Sequence, residues 1–177
     1  KYIDEKKIER IYNGIIFSKT DSLIKLERDE DDFVITSVAR LIPYKGHNYL
    51  IDIANILIKK STKFKFLIVG DTLPSYKSHE KIVKQKVNDL GLEDQIKFLG
   101  FRKDISNILK QSDLFIHPAI SPDPLPTVLF ESLHNGLPSV ATNLGGAIEI
   151  LDNGNNGLLI PHNDPKKAAN LIIEYCA

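Results

Sequence analysis

Phe33-Val-Ile-Thr-Ser-Val-Ala39 runs directly into Arg40-Leu-Ile-Pro-Tyr-Lys45-Gly46, and that segment opens onto apolar positions Leu50, Ile51, Ala54, Leu57 and Ile58. The first seven residues form a short apolar, β-branched run, which reads as a buried strand. The later positions recur at helical spacing, so His47 to Lys60 reads as a helix with one apolar stripe. A second apolar run, Phe64-Lys-Phe-Leu-Ile-Val-Gly70, follows at once. Strands separated by helices in this way imply a mostly parallel sheet covered on both faces, with right-handed crossovers.

The same rhythm continues along the chain. Lys77 to Leu90 is a charged amphipathic helix with Gly91 at its end. Gln95 to Gly100 reads as a third strand, Ile105 to Gln111 as a short helix and Asp113-Leu-Phe-Ile-His117 as a fourth strand. A proline-rich loop leads to a helix through His134, with Pro126 expected at its first position, where a missing N–H costs nothing. Gly136 ends that helix. Pro138 to Thr142 is a fifth strand, Ala147 to Leu151 a short helix, and Gly157 to Ile160 a sixth strand. Asp164-Pro165 opens a last helix through Tyr175. The expected fold class is α/β, a Rossmann-like parallel sheet of about six strands with helices on both faces.

The 177 residues fit one domain of ordinary size. Lys plus Arg and Asp plus Glu number 23 each, so there is no basic excess and nucleic acid is not an expected partner. The one cysteine, Cys176, rules out an intrachain disulfide, which suits a reducing compartment. No apolar run approaches the ~20 residues that span a bilayer, and no signal peptide is visible. The sequence starts at Lys1 and contains no methionine, which reads as a piece of a longer protein. Ile8 to Ile16 reads as a strand without a nearby partner, with a Tyr12-Asn13-Gly14 turn inside it. Residues 1–20 are therefore expected to be a lead-in from a missing N-terminal domain, and 21–177 the domain itself.

Three strand-to-helix junctions carry chemistry, and such junctions are where open α/β sheets bind ligands. After the first strand, Arg40 offers a planar fork and Lys45 a point charge for phosphate, and Gly46 lets backbone come close. The competing reading is two surface cations. After the fourth strand, Asp123-Pro-Leu-Pro-Thr-Val-Leu-Phe-Glu131 sets two carboxylates eight positions apart, the second among Val128, Leu129, Phe130 and Leu133. A carboxylate in apolar surroundings needs donors, and vicinal hydroxyls of a ribose are one source. Asp123 can do the same for a hexose. Gly145-Gly146 follows the fifth strand. The parts assemble into one site with two cations for a diphosphate, Glu131 for a ribose and Asp123 for a sugar. The chain has no Gly-x-x-x-x-Gly-Lys-Ser/Thr loop and no Gly-x-Gly-x-x-Gly after its first strand, against a nucleoside triphosphatase or a dinucleotide-binding dehydrogenase.

Together these residues resemble the nucleotide-sugar-binding C-terminal domain of the group 1 glycosyltransferases, family 4 of the retaining enzymes. That pattern is acidic-x7-Glu, with Gly/Ala-Arg-Leu and Lys-Gly upstream and Gly-Gly-x-x-Glu downstream. Here it reads Asp123…Glu131, Ala39-Arg40-Leu41…Lys45-Gly46 and Gly145-Gly146-Ala-Ile-Glu149. Asn135-Gly136-Leu-Pro138-Ser-Val-Ala-Thr142 and Tyr12-Asn13-Gly14 also fit, so the resemblance spans about residues 12 to 175. It implies the C-terminal half of a two-domain GT-B enzyme that transfers a hexose with retention to a glycan or lipid-linked acceptor. Arg40 and Lys45 would hold the donor diphosphate, Glu131 the ribose and Asp123 the transferred sugar. Gly46, the backbone near Leu125, Thr127 and Val128, and Gly145 and Gly146 would complete the donor site. Phe101 and Arg102 would meet the base. The donor would be a UDP-, GDP- or ADP-sugar, with no cofactor and no bound metal. The resemblance further implies polysaccharide biosynthesis in the cytoplasm, or at the inner face of a membrane. The chain alone would be inactive for lack of its N-terminal domain.

Two residues depart from the pattern. Asp123 stands where the family usually has Glu, one methylene longer, and Ser132-Leu133-His134 replaces a run of small residues. The five histidines show no metal-ligand spacing, and His117, before Pro118 at a strand end, reads as structural. His134 reads as a surface cation at a helix end. Glu149 reads as a capping residue, the lysines of 77–90 as a solvated face, and Asp29 to Asp32 as a solvated linker. Two other functions fit less well: a sugar-nucleotide 2-epimerase on a similar fold, and a non-catalytic module with a vestigial site.

Overall fold

The computed structural model describes residues 7–9, 11, 14–15 and 25–177. The expected lead-in strand and its Tyr12-Asn13-Gly14 turn fall largely outside them. Among the described residues, six strands alternate with six α-helices. They are β1 (Phe33–Val38), α1 (His47–Lys60), β2 (Phe64–Val69), α2 (Lys77–Asp89), β3 (Ile96–Gly100) and α3 (Ile105–Lys110), then β4 (Leu114–His117), α4 (Thr127–His134), β5 (Ser139–Thr142), α5 (Gly146–Ile150), β6 (Leu158–Ile160) and α6 (Pro165–Tyr175). Every strand pairing is parallel, in the order β3-β2-β1-β4-β5-β6.

The alternation of side chains along each strand divides the core in two. Ile35, Phe66, Ile68, Ile96 and Ile116 face α1, α2 and α6, where Leu50, Ile53, Leu57, Val83, Val87 and Ile172 complete a large buried cluster. Phe115 and Ala141 face the other way, against Leu109, Leu129, Ala147 and Leu151 of α3, α4 and the end of α5. These side chains are at most a few per cent exposed. Burial of each large one contributes roughly 1.5–3 kcal/mol. Helices on both faces are what the near-continuous apolar strands require.

The expected elements agree with the observed ones to within one or two residues at their ends. One assignment shifts: Pro126 is the N-cap of α4, not its first helical residue, because its ψ of 89° lies outside the helical range. The segment Asp29 to Asp32 is less detached than a solvated linker. Asp32 lies 3.9 Å from the Lys65 ammonium, and Arg28 bridges Asp32 O and the Asp113 carboxylate. The lysine-rich face of α2 is solvated as expected except at Lys86, which is half-buried and docks on α1 through Asn48 O at 3.0 Å and the Asp52 carboxylate at 2.7 Å; Glu80 lies between Lys77 at 3.1 Å and Lys84 at 2.8 Å. Among the described residues, no helix is long and apolar enough to cross a membrane.

The strand order reverses between β1 and β4. There successive crossovers leave to opposite faces, and the loops after the two strands part to form a crevice at their C-terminal ends. The loops Arg40–Gly46 and Pro118–Pro126 both emerge at that point.

Candidate active site

The loop after β1 is built around two apolar anchors. Leu41 and Ile42 are buried, 2% and 0% exposed, which plugs the end of the sheet and leaves Arg40 outside. Leu41 N donates to Asp71 O at 3.0 Å, and Thr72 Oγ1 donates to Leu41 O at 2.9 Å, so the loop after β2 fixes it from one side. Pro43 starts a single 3-10 turn, Pro43–Lys45, and Gly46 reverses the chain into α1 with φ of 76°.

The loop after β4 fixes it from the other side. Ile120 N donates to Tyr44 O at 3.0 Å, and Thr142 Oγ1 donates to Ala119 O at 2.6 Å. Gly146 N donates to Asp123 O at 2.8 Å. A Cβ on Gly145 would stand 2.5 Å from Asp123 O, and one on Gly146 would stand 2.1 Å from Pro124 O. The two glycines therefore let the β5–α5 turn lie directly against the Asp123–Pro124 backbone, and they set where Asp123 points.

Between these loops lies a pocket of about 160 Å³, lined by Arg40, Tyr44, Lys45, Ser121, Asp123 and their neighbours. Asp123 Oδ2 accepts from Lys45 Nζ at 2.5 Å, with both side chains about one-fifth exposed. Arg40 is exposed, and its guanidinium makes no ion pair among the described residues. Beneath the pocket sit two buried histidines. His47 is the first residue of α1 and His117 the last of β4. Neither ring of the two has a hydrogen-bonded nitrogen among the described residues. Burial, with His79, Lys45 and His117 adding to it, pulls the pKa of His47 down to about 4. Burial and the Lys45 charge bring His117 to about 4, against the opposing pull of Asp123. Both imidazoles are thus neutral near pH 7.

The expected residues are brought together in part. Arg40, Lys45 and Asp123 share the pocket, and Gly46, next to Lys45, packs its backbone against Pro118 without lining it. Glu131 does not line it. It lies farther along α4, half-buried, and burial raises its pKa. No group among the described residues is seen to donate to its carboxylate, whose oxygens still reach solvent. α4 is less enclosed than its sequence suggests, since only Leu129 and Ser132 are buried and Thr127 is exposed. No side chain caps α4, so its first-turn N–H groups, Thr127 and Val128 among them, are open to a ligand, with Leu125 half-buried just ahead. Phe101 is 68% exposed beyond β3. Arg102 is engaged elsewhere, donating to both Asp104 carboxylate oxygens at 2.8 and 2.6 Å. His47 is the residue that sequence reasoning passed over. Its signal was its place next to Lys45-Gly46, where a tight backbone approach buries whatever follows.

Residues 18–177 match the profile of the glycosyl transferases group 1 family. The chain belongs to that family. Over 97% of its length it is 31% identical to the UDP-Gal:alpha-D-GlcNAc-diphosphoundecaprenol alpha-1,3-galactosyltransferase of Escherichia coli, of which it covers 46%. HepE of Anabaena, solved with UDP-glucose, is 36% identical over 82% of the chain with a TM-score of 0.76, and 39% of that chain is covered. The C-terminal domain of LpcC, a group 1 glycosyl transferase of Francisella tularensis, shares the fold, with a TM-score of 0.72 at 23% identity over 81% of this chain and 75% of that one. The chain thus has the Rossmann-like fold of a group 1 C-terminal domain, and it spans less than half the length of the full-length relatives named here.

Proposed function

We propose that this group 1 glycosyltransferase chain binds the donor, a UDP-hexose, and that the reaction it serves transfers the hexose with retention to a glycan or lipid-linked acceptor. The observation that carries the reading is the pairing of Lys45 with Asp123 in one pocket, flanked by Arg40, which makes no ion pair among the described residues. A pocket of about 160 Å³ is too small for a whole nucleotide sugar, since ligand sites of that class run to several hundred Å³. It suits the diphosphate and part of the sugar, with the nucleoside lying along α4. Arg40 and Lys45 would hold the diphosphate and stabilise its charge as it leaves. The open N-terminus of α4 would add N–H donors, and Asp123 would accept from sugar hydroxyls.

Glu131 would accept from both ribose hydroxyls, which would replace the water on its half-buried carboxylate. Phe101 would stack on the base. Arg102 would take part only after leaving Asp104. The choice of UDP over GDP or ADP is supported by the HepE complex with UDP-glucose and by the E. coli relative named for UDP-Gal. The acceptor would be held by an N-terminal domain of the same protein, with residues 1–20 leading in from it. The isolated chain would then bind donor without transferring sugar, in the cytoplasm or at the inner face of a membrane. No metal ion is assigned a role, because the two cations and the helix end supply the positive charge.

The test is calorimetric titration of the chain with UDP-galactose, UDP-glucose, GDP-mannose and ADP-glucose, with a sugar-transfer assay on the same material. Saturable binding of the UDP-sugars alone, without turnover, is expected. Tighter binding of a GDP- or ADP-sugar, or transfer by this chain alone, would overturn the corresponding part.

A further inference from the structure

One carboxylate oxygen of Asp123 faces two candidate donors. Lys45 Nζ holds Asp123 Oδ2 at 2.5 Å, and His117 Nε2 stands 3.9 Å from the same oxygen, just outside hydrogen-bond range. His117 is 2% exposed, and neither of its ring nitrogens has a partner among the described residues. A buried polar group in that state gives up bonds that it would make with water, and native structures leave few such groups without a reason. A neutral imidazole still carries one N–H. With that proton on Nε2, the ring is a donor whose nitrogen stands about 1 Å beyond a hydrogen bond to Asp123.

The donor reading gives Lys45 a second task. An ammonium that turns to a diphosphate releases the Asp123 oxygen it now holds, at the moment when Asp123 must be fixed against the sugar. We propose that His117 is a positioning residue: as the donor diphosphate draws Lys45 away, His117 Nε2–H closes on Asp123 Oδ2 and leaves Oδ1 free for a sugar hydroxyl. The idea rests on the reading of the pocket as a nucleotide-sugar site. Two features of the structure suit it. Asp123 is the shorter acid, with few torsions to fix, so one hydrogen bond settles its direction. The Gly46–Pro118 backbone contact also holds Lys45 and His117 on adjoining strands of chain, so a small turn of the Lys45 side chain is enough.

Sugar-dependent affinity is the readout that separates this role from a structural one. Wild-type chain, His117→Phe and His117→Gln would each be titrated with UDP, UDP-galactose and UDP-glucose. Phe keeps the ring volume and removes the donor, whereas the Gln amide reaches close to the Nε2 position. The expected result is a roughly tenfold loss of UDP-hexose affinity in His117→Phe, with UDP itself changed less than twofold. His117→Gln should recover most of the loss. In an Asp123→Ala background, His117→Phe should add nothing. If the Phe variant does not fold, His117→Asn takes its place, since its amide reaches the Nδ1 position and should show the same loss. Equal weakening of UDP and UDP-hexose, no weakening, or failure of Gln to recover it would overturn the proposal and leave the donor reading intact. A folded wild-type chain that binds none of the three nucleotides would remove the donor reading and this proposal together.

Discussion

Gly46 and Pro118 touch through their backbones. A Cβ built on Gly46 would stand 1.8 Å from Pro118 O, and Gly46 already holds φ of 76°. This contact joins the loop after β1 to the loop after β4, and it sets Lys45 and Asp123 within reach of each other. Gly46→Ala meets both a left-handed backbone and a rigid carbonyl. A left-handed residue alone costs about 1–2 kcal/mol, so the variant should lose more than ~2 kcal/mol. Gly136, with φ of 69° and no atom within 4 Å of its virtual Cβ, is the control. Gly136→Ala should lose only the left-handed cost of about 1–2 kcal/mol. Urea unfolding of the two variants checks this, and equal losses would show that the Gly46–Pro118 contact contributes nothing.

Glu131 trades stability for binding. Burial raises its pKa above the ordinary value of 4.5, so the folded chain binds more protons than the unfolded one in that window. Its contribution therefore falls as pH rises from about 4.5 through the raised folded value and stays unfavourable above it. Glu131→Gln should raise Tm at pH 7.5 and flatten this pH dependence. The same change should weaken UDP binding by about 10- to 100-fold, as expected for losing charge-assisted hydrogen bonds to two hydroxyls. A lower Tm for Glu131→Gln would show that the carboxylate has a protein partner.

The two buried histidines predict an acid limb. Each has a folded pKa near 4 against an ordinary 6.5, so the folded chain binds fewer protons than the unfolded one between those values. Their contribution is fully present above about pH 6.5 and is lost as pH falls toward 4. The slope should approach about 1.4 kcal/mol per pH unit for each proton taken up. His47→Leu removes one of the two, so its stability curve between pH 6.5 and 4 should be flatter by about one proton. An unchanged slope would mean that His47 is already protonated or already satisfied at neutral pH.

Much of this was legible in the sequence, and the reasons are physical. Every strand is an apolar run too short to be a helix, and every helix carries a stripe or a breaker such as Gly91 or Gly136 at its end. The order of elements therefore follows from periodicity. Arg40, Lys45 and Asp123 were legible because each lies beside a junction that cannot be buried. Other features depend on neighbours distant in sequence. Arg102 lies next to Phe101, and only the fold turns it back onto Asp104. Gly145 and Gly146 read as ligand contacts, yet the chain they meet is the Asp123–Pro124 backbone. The isolation of His47 and His117 was not legible, because a hydrogen bond that is absent leaves no mark on a sequence.

Phe101 and Arg102 should now behave differently. Phe101→Ala removes a side chain that is 68% exposed, so Tm should stay within about 1 °C. UDP affinity should fall about fivefold or more if the ring stacks on the base. Arg102→Ala breaks the pair with Asp104, whose carboxyl the guanidinium holds below the ordinary range. Asp104 is only 6% exposed, so the loss of its two-bond partner leaves a buried carboxylate and should lower Tm, with little change in affinity. Thermal melts and titrations of both variants check this, and the reverse pattern would reassign the base contact to Arg102.

The donor site requires Lys45 and Glu131 to hold the two ends of one nucleotide. Calorimetric titration of the chain with UDP, beside Lys45→Ala and Glu131→Ala, measures that. Saturable UDP binding, weakened at least tenfold in each variant with the fold intact, is the predicted result. UDP binding that survives both substitutions, or no binding by a well-folded wild-type chain, would contradict it.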